Sequence, residues 1–221
     1  MLLLAENLTY RMSSGGPAIF DGVHIGVEAG ELVDVTGPSG AGKTTLLRAL
    51  ARLLPGATGT LVLAGAPAER VVPAEWRRHV ALVPQRAVMC AGSVRDNLLI
   101  PWRLKVRNGE TPPPDDALRE ALDSVGLADI ALGRDASRLS VGEAARVSLL
   151  RTTLTAADVL LLDEPDANLD NDSAEQVRAI TERFVTAGGA VIRVRHLRSD
   201  SLATRRLRLT GGHLTEVVTD A

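Results

Sequence analysis

Gly37-Pro38-Ser39-Gly40-Ala41-Gly42-Lys43-Thr44 constrains this 221-residue chain more than any other stretch. It fits the spacing G-x-x-x-x-G-K-[ST], and its flanks carry as much information as the match. Upstream, residues 19–36 are short apolar runs broken by Gly and Asp, which predicts strands joined by tight turns. Downstream, Leu46, Leu47, Leu50, Leu53 and Leu54 follow helical spacing and predict a helix over 44–54. Glycines between a strand and a helix let successive backbone N–H groups turn inward, and the helix adds its positive dipole end. Such a concavity holds phosphate oxygens: Lys43 would reach the β- and γ-phosphates, and the Thr44 hydroxyl would coordinate Mg²⁺. The competing account is a structural turn that happens to carry glycines. Of the 25 Lys and Arg residues only Lys43 and Lys105 are lysines. A slim ammonium fits beside phosphates where a forked guanidinium does not.

The rest of the chain alternates strands with helices, the pattern of a parallel α/β core. Strands are predicted over 2–10, 60–63, 80–83, 159–163 and 190–194, and a closing hairpin over 206–218 around Gly211-Gly212. Helices are predicted over 93–99, with Ser93 as cap and Asp96 in the first turn, and over 115–125, 141–155 and 171–187. Pro112-Pro113-Pro114 form a clear break. The helix-rich stretch 86–155 reads as a lobe inserted into a core made of 1–85 and 156–221. Arg193, Arg195, Arg198, Arg205, Arg206 and Arg208 gather late, as expected of alternate strand positions or a solvated face.

A phosphate site of this kind needs a carboxylate at the end of a buried strand. Val159-Leu160-Leu161-Leu162-Asp163-Glu164 supplies two. Asp163 would hold Mg²⁺, while Glu164 would polarise an attacking water. Alone, acids after a strand are equally a solvated turn.

Further motifs appear in a fixed order. Leu139-Ser140-Val141-Gly142-Glu143, with Arg146 three residues on, ends 20 residues before Asp163. Gln85 follows the strand ending at Val83; Asn168-Leu169-Asp170 follows Glu164; His196 follows the strand 190–194; Tyr10 belongs to a chain with only one Tyr, two Phe and two Trp. Ser140 and Glu143 also satisfy S-x-x-E, a capping box whose simplest role is to start a helix. In combination these segments resemble the ATP-binding subunits of ABC transporters, whose signature is usually LSGGQ.

That resemblance implies a P-loop NTPase fold of the ABC ATPase type: an α/β core with an N-terminal antiparallel β subdomain and an inserted α-helical subdomain. It implies ATP and Mg²⁺ bound by Gly37, Pro38, Ser39, Gly40, Ala41, Gly42, Lys43, Thr44, Thr45 and Asp163, with adenine stacked on Tyr10. Glu164 is then the general base, His196 a γ-phosphate contact, and Gln85 a Mg²⁺ and water contact. Ser140 and Gly142 face the γ-phosphate of ATP on a second copy, giving a homodimer on ATP binding, and Asp170 is a further nucleotide-site residue. Val141, Glu143, Arg195 and Leu197 depart from the usual residues at their positions.

The implied partner is an integral membrane permease, which places the chain on the cytoplasmic face of a membrane. The run Val94-Arg95-Asp96-Asn97-Leu98-Leu99-Ile100-Pro101-Trp102, and Arg146-Val147-Ser148-Leu149-Leu150-Arg151, are similar to iron-export ATP-binding subunits of the Fet type. The alternatives are a transporter of another substrate or an ABC ATPase outside transport. Composition bounds these readings. A formal net charge of −2 gives no global drive towards nucleic acid. The single Cys90 excludes an intrachain disulfide. No apolar run approaches the ~20 residues a bilayer-spanning helix needs.

Overall fold

The computed structural model describes residues 1–12, 16–195 and 201–217. They form two compact units: Met1–Leu82 with Asp158–Glu164 and Val185–Ala221, and Val83–Ala157 with Pro165–Phe184. Residues 165–184 therefore group with the second unit, whereas the sequence reading assigned them to the core.

The first unit carries two sheets. Strands β1 (Leu3–Arg11), β2 (Ala18–Val27), β4 (Thr58–Leu63) and β5 (Ala66–Pro67) make an antiparallel sheet in the order β2-β1-β4-β5. A six-stranded sheet follows the order β10-β9-β3-β8-β7-β6. Its members are β3 (Leu32–Thr36), β6 (Val80–Val83), β7 (Val159–Asp163), β8 (Ala190–Val194), β9 (Arg205–Thr210) and β10 (His213–Glu216). β7 and β8 are buried at every residue, which explains their continuous apolar runs: a parallel sheet is covered on both faces. Helix α1 (Lys43–Leu50) covers this sheet through Leu46, Leu47 and Leu50, all fully buried. Each such leucine contributes roughly 1.5–3 kcal/mol by leaving water.

Two features of this unit depart from the sequence reading. Helix α2 (Pro73–His79) has a proline at its first turn but buries only Trp76, so it has no apolar stripe to reveal it. Trp76 Nε1 donates to Leu50 O at 2.9 Å. Arg206 and Arg208 do alternate with buried Leu207 and Leu209 on β9. Arg193, however, lies 2% exposed between strands, its guanidinium forked onto Asp34 at 2.7 and 3.1 Å. The two residues face each other in the parallel register of β3 and β8. A buried charge survives when paired and hydrogen-bonded, and this one is a cross-strand clasp, not a solvated face.

The second unit contains α3 (Val94–Leu98), α4 (Asp115–Asp123), α5 (Val141–Thr153) and all but the last two residues of α6 (Asn171–Thr186). Its buried apolar residues include Val94, Leu98, Leu118, Leu122, Val147 and Leu150. Helices α3 and α5 both start with complete capping boxes, Ser93 with Asp96 and Ser140 with Glu143. The Ser93 hydroxyl and backbone, helped by Arg103, hold the Asp96 carboxyl down to about 2. Among the described residues no helix is long and apolar enough to cross a membrane.

Candidate functional site: a phosphate loop and a buried carboxylate

Parallel pairing sets one edge of the six-stranded sheet. Val35 pairs with Val194, and Val194 pairs with Asp163, so the ends of β3, β8 and β7 are level. Gly37 and Glu164 thus leave the sheet at the same edge, where α/β folds place their ligands.

Between β3 and α1 the loop depends on its glycines. Gly37 has φ 147°, and an added Cβ would lie 2.2 Å from Leu209 O on neighbouring β9. Gly40 and Gly42 take φ 77° and 96°. A Cβ on Gly42 would stand 2.6 Å from Ile19 Cγ2, so β2 presses against the loop. Pro38, Ser39 and Gly40 are exposed, while Ala41, Gly42, Thr44 and Thr45 are half-buried. Gly42 is the N-cap of α1 and provides no side-chain acceptor, leaving the first turn's N–H groups to an external anion. Lys43 is buried and its Nζ donates to Gly37 O and Pro38 O, each at 2.9 Å. The ammonium therefore stands within the arch of the loop.

Asp163 is the partner across the edge. The Thr44 hydroxyl donates to Asp163 Oδ1 at 3.1 Å. Burial pushes the Asp163 carboxyl above its ordinary value, opposed by the Thr44 hydrogen bond and by the charges of Arg48 and Lys43. Glu164 follows at φ 48°, an uncommon angle for a residue with a side chain, and its N–H donates to Val194 O at 3.1 Å. That strain is found where the surrounding structure enforces it, often at functional sites. Tyr10 is half-buried on β1, paired in register with Phe20, with ring centroids 6.3 Å apart.

The first unit thus brings together the loop 37–45, Asp163 and Glu164, with Tyr10 on the strand pair that carries Ile19. The second unit holds Gln85, Ser140, Gly142 and Asp170. Gln85 lies in an exposed bend two residues after β6. Ser140 caps α5: its Oγ accepts from Glu143 N at 3.2 Å, and its own N–H donates to Glu143 Oε2 at 2.6 Å. Glu143 also faces the Arg134 guanidinium at 3.6 Å, a partner the sequence reading did not identify. Arg146 reaches back to Gly142 O at 3.2 Å and to Val125 O and Gly126 O at 3.3 Å. Asp170 Oδ1 accepts from Ser173 N at 2.7 Å and so caps α6. His196 and Leu197 lie outside the described residues.

A parallel sheet whose edge carries a glycine arch, a buried lysine and a hydroxyl–carboxylate pair defines a nucleotide-binding domain of the P-loop class. The ABC transporter family profile matches residues 20–167. The chain is 34% identical over 185 residues to the "Probable iron export ATP-binding protein FetA" of Escherichia coli (strain K12), spanning 83% of this chain and 79% of that protein. It is 37% identical over 187 residues to the "Hemin import ATP-binding protein HmuV" of Streptomyces coelicolor (strain ATCC BAA-471 / A3(2) / M145), spanning 84% and 66% respectively. A solved "Structure of ATP binding subunit of ABC transporter" superimposes with TM-score 0.85 over 98% of this chain and 90% of that one, at 18% identity. The last likeness shows the fold alone. The chain belongs to the ABC transporter family as an ATP-binding subunit, and its fold is the ABC ATPase fold.

Proposed function

We propose that this subunit hydrolyses Mg-ATP at the loop 37–45 with Asp163 and Glu164, and that closure of two copies on ATP drives a separate membrane permease. The observation that carries the site is the Thr44–Asp163 hydrogen bond of 3.1 Å beside the buried Lys43. A hydroxyl and a carboxylate oxygen are hard donors that suit Mg²⁺, and a desolvated carboxylate gains most from a cation. Among the described residues no cluster of three or more His, Cys, Asp or Glu offers a protein-only metal site. An ion at Thr44 and Asp163 would be held by one or two protein oxygens together with phosphate oxygens. When bound, the ion would neutralise charge on the phosphate oxygens.

The chain's own residues supply the rest. Backbone N–H groups of Gly40 to Thr45 cradle the phosphates, and Lys43 exchanges its carbonyl partners for the β- and γ-phosphate oxygens. Tyr10 offers its ring to adenine. Glu164 accepts a proton from the water whose oxygen attacks the γ-phosphorus, while the bond to the β-phosphate oxygen breaks and ADP leaves. Gln85 and His196 would orient that water and the γ-phosphate. Ser140 and Gly142, at the capped N-terminus of α5, would present N–H groups to ATP on the second copy, with Asp170 beside them. Val141, 68% exposed, would then stand where the copies meet.

Export of a metal such as iron is the cargo reading supported by the run Asp96–Trp102 and by the likeness to FetA. The likeness to a hemin import protein favours the broader reading of a transporter of other cargo.

Lys43→Ala tests the site. The γ-phosphate loses its nearest cation, so phosphate release at saturating Mg-ATP should fall at least ~100-fold. Turnover near that of the parent protein would sink the assignment.

A further inference from the structure

Gly142 occupies the second helical position of α5, after the cap Ser140 and the exposed Val141. Its backbone is helical and it is absent from the residues with positive φ. Nothing in its conformation requires glycine, and alanine would favour the helix. Yet a Cβ built there would stand 2.2 Å from Ser173 Oγ and 2.8 Å from Ser173 Cβ, and among the described residues no other heavy atom outside its own helix turn lies within 4 Å. Of the described side chains, that of Ser173 fills the space that a side chain at 142 would need.

Ser173 is itself held. It lies 7% exposed in the first turn of α6. Its N–H donates to Asp170 Oδ1 at 2.7 Å. That bond, with a second from the Ser173 hydroxyl, keeps the exposed Asp170 carboxyl below its ordinary value. Asp170 and Gly142 were both candidates from sequence, 28 positions apart, and Ser173 touches each.

We infer that Ser173 is a positioning residue: its side chain seats the N-terminus of α5 against the loop that ends in Asp170. The glycine at 142 is then demanded by Ser173 of the same chain and not by the nearness of a phosphate on another. This inference rests on the ATPase reading above, since it assigns Ser173 to the two segments expected to face the second copy's ATP. A side chain at 142 would push α5 from Ser173, and the displaced N–H groups of the first turn would meet the phosphate poorly. A change there should slow the chemical step with little effect on ATP capture, which belongs to the loop 37–45.

Four forms of the full chain test it: the parent, Gly142→Ala, Ser173→Gly, and the two changes together. Each is assayed for Mg-ATP turnover, ATP affinity and thermal melting. Gly142→Ala should lower kcat at least ~10-fold while KM for ATP stays within about 2-fold, in protein that melts well above the assay temperature. Ser173→Gly alone should cost about 3-fold, because the seat is lost while Gly142 leaves α5 its room, and the double variant should return to within about 3-fold of Ser173→Gly, a coupling that independent sites do not show. Parent-like turnover of Gly142→Ala overturns the inference. So does a double variant that stays as slow as Gly142→Ala, because the methyl would then be excluded by something other than Ser173. If Gly142→Ala does not fold, recovery of melting and turnover in the double variant supports the inference, and a double variant that also fails to fold overturns it. A parent without ATP turnover defeats the ATPase reading instead, and rescue of melting by Ser173→Gly still decides the role of Ser173.

Discussion

Gly37, Gly40 and Gly42 take φ of 147°, 77° and 96°, whereas Gly142 sits in regular helix. In the first unit glycine is required by the path of the backbone, and at Gly37 also by Leu209 O of an adjacent strand. In the second, glycine is required by one side chain 31 positions later, Ser173. The two loops also differ in how they treat charge. The first buries a lysine and a carboxylate and leaves the N-terminus of α1 open. The second satisfies the start of α5 through Ser140 and Glu143 and keeps its ion pair with Arg134 half in solvent. A loop meant to receive phosphate on its own exposes unsatisfied donors and stores desolvation cost. On the proposed reading, in which a second copy completes the other loop, that loop is free to cap itself first.

The largest effect expected is at Gly37→Ala. An alanine there would have to hold an unfavourable φ with its methyl inside the Leu209 carbonyl, and no flexible side chain can move aside. Thermal melting and phosphate release should show a protein that is unfolded or without turnover. A stable, active Gly37→Ala would break the contrast, since the first loop's glycine would then be dispensable.

Asp163→Asn sharpens it through pH. Burial raises the Asp163 pKa in the folded state, so its contribution to stability is fully present below the unfolded carboxyl value of 3.8 and is lost as pH rises through the folded value. At neutral pH the buried carboxylate costs stability, and an amide removes that cost. Melting temperatures should coincide for Asp163→Asn and the parent below about pH 4 and diverge above it, the variant higher, while Mg-ATP turnover collapses. Parallel melting curves across the range would mean that Asp163 stores no desolvation cost.

The smallest effect belongs to the second loop. Glu143→Gln keeps an oxygen for the Ser140 N–H and loses only the attraction to Arg134, a pair 35% and 21% exposed. Such pairs contribute roughly 0.2–1 kcal/mol, and screening reduces them further. A drop in melting temperature of no more than about 3 °C is expected, and 1 M salt should erase it. A larger, salt-insensitive loss would show that the loop depends on charge as the first one does.

What could be read from sequence follows the same divide. The phosphate loop, β7 with Asp163, and the caps Ser93 and Ser140 were legible because each is fixed by neighbours within a few residues. Asp34–Arg193 was not, since its two members stand 159 positions apart and meet only through the parallel register. Ser173 escaped for that reason too, and α2 because a single buried Trp76 leaves no period to detect. The domain-level likeness came from the order of motifs, while the reason for Gly142 came only from packing.

Glu164→Gln tests the hydrolytic site most directly. The amide keeps the shape at φ 48° but cannot accept the water's proton. ATP affinity should stay within about 2-fold of the parent, turnover should fall at least ~100-fold, and the variant should elute as a dimer in ATP and as a monomer without it. Parent-like turnover, with no ATP-dependent dimer, would contradict the assignment of Glu164 and the hydrolytic site built around it.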